Sequence, residues 1–175
     1  MSTERPRTLA RVAAIQALYQ GEQTNETAET VIDQFIRHRL TTHPLTTHPL
    51  PAINQPGNPL AHSIENGLSP HANAPLFARI VRLVTTQQDQ IDPLIANLLP
   101  ESWPMLRLDP VLRALLRAAA AELWMSDGPP ARVVINEYLD IAHGFFADDA
   151  VQLANALLDR IARALRPADF PPSAA

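Results

Sequence analysis

The sequence has no cysteine, which excludes disulfides, thiolate metal sites and cysteine nucleophiles. It has no lysine either, so all 14 basic residues are arginine. Aromatic residues make up only 5%, and a core must come from Leu, Ile, Val and Ala, an inventory suited to helix packing. No apolar run approaches the roughly 20 residues of a membrane span. The opening stretch MSTERPRTLARVAAIQ lacks the apolar segment of a signal peptide, so a cytoplasmic location is expected. Alternating β-branched runs and Asn-Gly or Asp-Gly hairpin turns are missing as well, which leaves no strand signal.

What remains is a chain of 175 residues, 46% hydrophobic, long enough for one ordinary domain with a real core. The net charge of -4 argues against non-specific attraction to a polyanion. The distribution of charge says more than the total. Arg5, Arg7 and Arg11 cluster at the start, Arg107, Arg113 and Arg117 in the middle, and Arg160, Arg163 and Arg166 near the end. Glu22, Glu26, Glu29 and Asp33 form a separate acidic block. Each cluster alone reads as a solvated helix face, although arginine also pairs with phosphate in bidentate fashion and stacks on bases.

Helical spacing recurs along the chain. Leu9, Val12, Ala13, Gln16 and Tyr19 follow the 3-4 rhythm, with Gly21 as the stop. Val31, Ile32, Phe35, Ile36 and Leu40 give a second helix. Leu76, Phe77, Ile80, Val81 and Val84 give a third, and Ile91, Leu94, Ile95 and Leu98 a fourth. Asp92-Pro93 and Asp109-Pro110 each place a side-chain acceptor at an N-cap and a proline where no amide hydrogen is needed. Between them SWPML suggests a short turn with Trp103 as a plug over the core. Leu112, Leu115, Leu116, Ala119 and Leu123 line the next helix until SDGPP. Pro130 opens another, which Gly144 helps to end. Asp148 or Asp149 then caps a last helix with Val151, Ala154, Leu158, Ile161 and Leu165 facing inward until Pro167, and residues 167–175 are expected as a disordered tail. The expectation is an all-α domain over residues 1–175, with about seven helices.

Residues 41–75 interrupt this pattern. They hold a tandem TTHPL repeat, seven of the 17 prolines and a single charged residue, Glu65. Such proline density prevents continuous helix, and no periodic apolar face replaces it. The segment reads as a flexible surface insertion between two core helices. His43, His48, His62 and His71 raise the question of a metal. The two repeat histidines stand about 15 Å apart if extended at about 3.1 Å per residue, too far for one ion. No metal or other cofactor is expected.

The stretch ARVVINEYLDIAHGFFADD, residues 131–149, sets Glu137, Asp140 and His143 at three-residue steps. On a helix such steps leave Glu137 and His143 about 120° apart around the axis. Zinc-binding helices use i,i+4 pairs, as in HExxH, and this stretch has none. No GxSxG nucleophile or Gly-rich phosphate loop occurs elsewhere. Val134, Ile135, Tyr138, Ile141, Ala142 and Phe145 give the segment a wide apolar stripe. It reads as a core helix with charged flanks and no catalytic residues.

Three blocks carry a further signal: ARVAAIQALYQ near the start, RLDPVLRALLRAAAAEL in the middle, and PARVVINEYLDIAHGFFADDAVQLANALLDRIARALRP at the end. In order and spacing they resemble the NusB family of bacterial transcription antitermination factors. The INE after a Pro-basic turn and the N-x-L-LD that follows are the specific part. The resemblance covers the chain outside residues 41–75 and implies two small packed helical bundles without enzymatic activity. It also implies pairing with a small-subunit ribosomal protein that doubles as NusE. That pair binds single-stranded boxA RNA in ribosomal RNA leader transcripts, and as part of the RNA polymerase antitermination complex it promotes read-through.

Arg5, Arg7 and Arg11 then fall on a frayed lead-in and first helical turn, suited to following phosphates without reading bases. The resemblance adds Arg132, Asn136, Asp149, Gln152, Leu153 and Asn155 as RNA-binding positions. Family members often carry Phe where this chain has Leu153 and Lys where it has Gln152. Losing one stacking ring costs about 1–3 kcal/mol, so weak RNA binding alone, strengthened by the ribosomal partner, is expected. The alternatives are a helical protein-protein adaptor and an accessory domain of ribosomal RNA maturation. A related helical domain precedes some ribosomal RNA cytosine methyltransferases, but this chain has neither a methyl-donor domain nor the cysteine such enzymes need.

Overall fold

The structure, a computed structural model, describes residues 6–40 and 71–171. These form six α-helices: α1 Pro6–Thr24, α2 Ala28–His38, α3 Ala74–Leu98, α4 Pro110–Trp124, α5 Ala131–Phe145 and α6 Asp148–Leu165. Single 3-10 turns follow at Met105–Arg107 and Pro167–Asp169. No strand occurs among the described residues. Helices α1 to α3 make one small bundle and α4 to α6 the other. Helix α4 also packs on α1 and α3, and its residues Leu112 to Leu123 are all buried. One continuous core therefore runs through both bundles.

The scarcity of aromatics shapes that core. Alanines at 10, 13, 14 and 17 of α1 and at 114 and 118–121 of α4 are buried, so the helix backbones approach closely and leucine and isoleucine fill the remaining space. Phe35 and Phe77 stack at 5.6 Å between centroids and join α2 to α3.

Several helix starts follow from the sequence. The Asp109 carboxylate accepts from the Val111 and Leu112 amides at 2.8 and 3.2 Å, with Pro110 beside it. Thr27 caps α2 through the Thr30 amide at 3.2 Å. Asn73 caps α3 through the Leu76 amide at 2.9 Å. That last cap moves the edge of the proline-rich insertion inward, because Asn73, Ala74 and Pro75 belong to the start of α3. Residues 41–70, with His43, His48 and His62, lie outside the described residues.

The expected break at Asp92-Pro93 does not occur, and the third and fourth helices are one. Pro93 and Asp89 are both exposed, so the carbonyl that loses its amide donor faces water. Ile91 and Ile95, both fully buried, pin the turns on either side. An interior proline costs about 3 kcal/mol; burial of the two isoleucines offsets it. The Asp92 carboxylate serves α4 rather than a cap, accepting from Arg117 Nε and Nη2 at 2.7 and 2.8 Å.

Other boundaries shift for local reasons. Helix α1 passes Gly21 and ends at Asn25, whose φ of 55° takes the left-handed turn that asparagine tolerates. Asp148 and Asp149 lie in the first turn of α6 and neither caps it, although both complement its dipole. Trp103 is 41% exposed and plugs nothing; Leu99 and Leu108 are buried there instead. The expected tail is ordered through Pro171. Phe170 packs on the core, and the Asp169 carboxylate accepts from the Ala131 amide at 2.8 Å. Residues 172–175 lie outside the described residues. Since Pro130 cannot cap α5 with a side chain, Asp169 does so from the far end of the chain. Asp169→Ala should cost about 1 kcal/mol, the usual value of a lost cap, and a denaturant melt with no change in midpoint would count against this role.

Arg113 and Arg117, expected on a solvated face, are buried. Both pair with Glu22, Arg117 Nη1 at 2.6 Å, while Arg113 Nη1 also donates to the Leu108 carbonyl at 3.1 Å. This network ties the last turns of α1 to α3 and α4. Hydrogen bonds from Arg113 and then Arg117 hold the Glu22 carboxyl below its ordinary 4.5, against the opposing effect of burial. Its contribution to stability is therefore complete above that ordinary value and is lost as pH falls through the lower folded value. Urea melts at stepped pH should show a steeper acid decline for wild type than for Glu22→Gln. Parallel curves would show that the network does not couple to pH.

Candidate nucleic-acid interface

The nine sequence-derived positions do not form one spot. Arg5 lies outside the described residues. Arg7 is exposed in the first turn of α1. It lines an open cleft of about 250 Å³ with Pro6, Thr8, Pro129 and the exposed Val133.

Arg11 is a correction. It is 2% exposed: with Glu137 it lies at the back of the cleft that Arg7 lines, and its guanidinium is taken up by carboxylates rather than open to phosphate. Helix α1 is buried on every side from Thr8 to Ala17, so the guanidinium has to find its counterions inside. Its Nε and Nη2 donate to the two carboxylate oxygens of Glu122 on α4, at 2.9 and 2.6 Å. Nη1 donates to Glu137 Oε2 on α5 at 3.0 Å. Thr8 Oγ1 donates to the same Glu137 oxygen at 2.8 Å, and the Tyr138 hydroxyl donates to Glu122 at 3.2 Å. Burial works to lower the Arg11 pKa, but hydrogen bonding and charge from Glu122 outweigh it and the value is raised. The fully buried Tyr138 phenol is pushed well above its ordinary 10.0, first by burial and then by the Glu122 charge.

This lock joins α1, α4 and α5, and it explains the INE motif: Glu137 faces α1 while Asp140 and His143 are exposed on α5. The three side chains do not converge.

On α5, Arg132 and Asn136 are one turn apart and both exposed. On α6, Asp149, Gln152 and Asn155 are exposed and Leu153 is half-buried against the core. Only Phe146 and Ala147 link α5 to α6, so the two helices run antiparallel. The start of α5 therefore meets the end of α6, as the Asp169 cap shows, and Arg132 lies within 5.9 Å of the Phe170 ring centroid. The 149–155 positions sit at the opposite end. Ten residues of helix separate Leu153 from Arg163, about 15 Å at the α-helical rise. The candidates thus make a strip with Arg7 and Arg132 toward one end, Asn136 a turn further in, and Asp149 to Asn155 at the other.

Most arginines are neutralised within the protein. Exposed pairs join Arg37 to Asp33, Arg79 to Asp127, Arg82 to Glu29 and Arg163 to Asp159, at 2.6–2.9 Å. By contrast Arg7 and Arg132 are exposed with no carboxylate within salt-bridge distance among the described residues. Sequence reading missed Phe170 and Arg163 beside Arg132, because nothing in PADFPP signals an anchored ring.

Fold and surface together define an all-helical, two-bundle protein with two exposed cations, Arg7 and Arg132, that no carboxylate answers at one end of its candidate strip. Arg107, between α3 and α4, is a further such cation, and Arg160 is exposed with a carbonyl, Leu98, as its partner. The NusB family model matches residues 8–163. The transcription antitermination protein NusB of Granulibacter bethesdensis is 55% identical over 166 residues, covering 95% of this chain and 93% of that protein. The protein of the same name from Gluconobacter oxydans is 48% identical, covering 92% and 89%. A solved structure of T. maritima NusB superposes with a TM-score of 0.67 at 25% identity, covering 96% of this chain and 99% of the other. The chain belongs to the NusB family, a family of transcription antitermination factors and not of enzymes. Among the described residues no helix is long and apolar enough to cross a membrane.

Proposed function

We propose that this chain is the RNA-binding half of an antitermination pair. In the cytoplasm it joins the small-subunit ribosomal protein that acts as NusE. The pair binds single-stranded boxA RNA in ribosomal RNA leader transcripts and helps RNA polymerase read through terminators. The observation that carries the reading is the contrast among arginines. In a protein of net charge -4 most guanidiniums are tied to carboxylates, whereas Arg7 and Arg132 are left for an outside anion. Arg107 and Arg160 also lack a carboxylate but stand apart from them, Arg107 between α3 and α4 and Arg160 on the Leu98 carbonyl. Asn136 and Asn155 supply the amide donors and acceptors that read base edges on single strands. Gln152 and Leu153 replace a cation and a ring common in the family, so the ribosomal partner provides much of the affinity.

Arg7 acts through phosphate. Arg7→Ala should weaken boxA and scrambled RNA alike and reduce the salt slope of binding by about 1. Loss confined to boxA, at an unchanged slope, would show that Arg7 reads bases. A second reading, a helical protein-protein adaptor, draws support from Trp103 and Leu106, which are 41% and 85% exposed at the connection between α3 and α4. It predicts tight binding to a protein partner with no gain in RNA affinity.

A further inference from the structure

The geometry points to Phe170 as a positioning residue for RNA binding: its ring holds the Arg132 guanidinium in place for a phosphate. This inference rests on the RNA-binding reading above and names a part of the surface that sequence reading assigned to a disordered tail.

The segment after α6 is fixed before the ring is considered. Arg166 Nε donates to the Leu123 carbonyl and Nη1 to the Pro129 carbonyl, each at 2.7 Å, and Nη2 donates to the Met125 carbonyl. Asp169 caps α5 at Ala131, the residue before Arg132. Backbone and cap thus deliver Phe170 to the start of α5 without help from its side chain. The ring then meets two guanidiniums, Arg163 at 4.6 Å and Arg132 at 5.9 Å from its centroid.

Those two cations differ. Arg163 Nε is engaged with Asp159 at 2.8 Å, so its charge is answered locally. Arg132 has the ring and no carboxylate. A guanidinium resting on a π face keeps its N–H edge outward, which is the edge that binds phosphate in bidentate fashion. An arginine free in solvent must give up rotamer freedom when it binds, and a stacked one has already given up part of it. The ring therefore lowers the ordering cost of the contact without touching RNA itself. Asp169 meanwhile occupies the amide end of α5, so phosphate is directed to the Arg132 side chain rather than to the helix terminus.

The test uses the full-length protein with fluorescent boxA RNA, with and without the ribosomal partner, in four variants: Phe170→Leu, Phe170→Trp, Arg132→Ala and the double Phe170→Leu/Arg132→Ala. Leucine keeps the apolar contact and removes the π face. Phe170→Leu should melt within about two degrees of wild type yet bind RNA about threefold more weakly, the scale of one exposed cation–π contact. Phe170→Trp should bind at least as well as wild type. The double variant should bind no worse than Arg132→Ala. The inference is overturned if Phe170→Leu binds like wild type, if its effect adds in full to that of Arg132→Ala, or if Arg132→Ala leaves RNA affinity unchanged. Those results leave the RNA-binding function standing. Absence of RNA binding by the wild-type protein, alone and with the partner, removes the function and this inference together.

Discussion

Arg11→Ala should destabilise the protein by about 3–5 kcal/mol, the usual result of removing one partner from a buried ion pair. At about 2–4 °C per kcal/mol for a chain of this size, the melting temperature should fall by on the order of 10 °C. The cost comes from what is left behind. Glu122 is 1% exposed, and without Arg11 it keeps only the Tyr138 hydroxyl at 3.2 Å. Glu137 keeps the Thr8 hydroxyl of α1 but loses its ion pair with that helix. Neutralising the second partner should help, because Arg11→Ala/Glu122→Gln no longer buries an unanswered charge. We expect the double variant to regain at least half of the lost stability. Below its melting transition Arg11→Ala should bind RNA with an unaltered salt slope, since the guanidinium is already engaged by Glu122 and Glu137. A stable Arg11→Ala protein with a flattened slope would return Arg11 to the RNA surface.

Leu153→Phe should tighten boxA binding by up to about tenfold, within the range that one stacked base supplies. Leu153 is half-buried in the second turn of α6 with Gln152 exposed beside it. A ring grafted there keeps its base in the core and extends its edge toward solvent. Stacking is not ionic, so the gain should persist at high salt while the phosphate contribution fades. Isothermal titration or anisotropy at two salt concentrations separates the two terms. Unchanged affinity, both alone and with the ribosomal partner, would mean that the α6 end of the strip does not meet RNA.

The sequence carried the helices and the family but not the fate of individual charges. Asp109-Pro110 and Asp92-Pro93 look identical as strings, yet one caps a helix and the other lies inside one. The difference is tertiary: Ile91 and Ile95 are buried on both sides of Pro93, and Arg117 from another helix claims the Asp92 carboxylate. Arg11 and Arg7 likewise stand one turn apart in a single cluster. Only the packing of α4 and α5 on α1 decides that Arg11 is enclosed and Arg7 is not. Local sequence shows neither Glu122 nor Glu137 as its counterions, 111 and 126 residues away. The tail fails for the same reason, because Asp169 and Phe170 are ordered by partners on α5 and α6 rather than by their neighbours in PADFPP. Gly21 misleads in a simpler way: the left-handed turn falls four residues later, at Asn25, which suits it almost as well.

Equilibrium binding of boxA and scrambled RNA, each with and without the ribosomal partner, tests the functional account most directly. The account predicts weak, salt-sensitive binding by the chain alone and a marked gain for boxA over scrambled RNA when the partner is present. A tight protein-protein complex that binds boxA no better than scrambled RNA would contradict it.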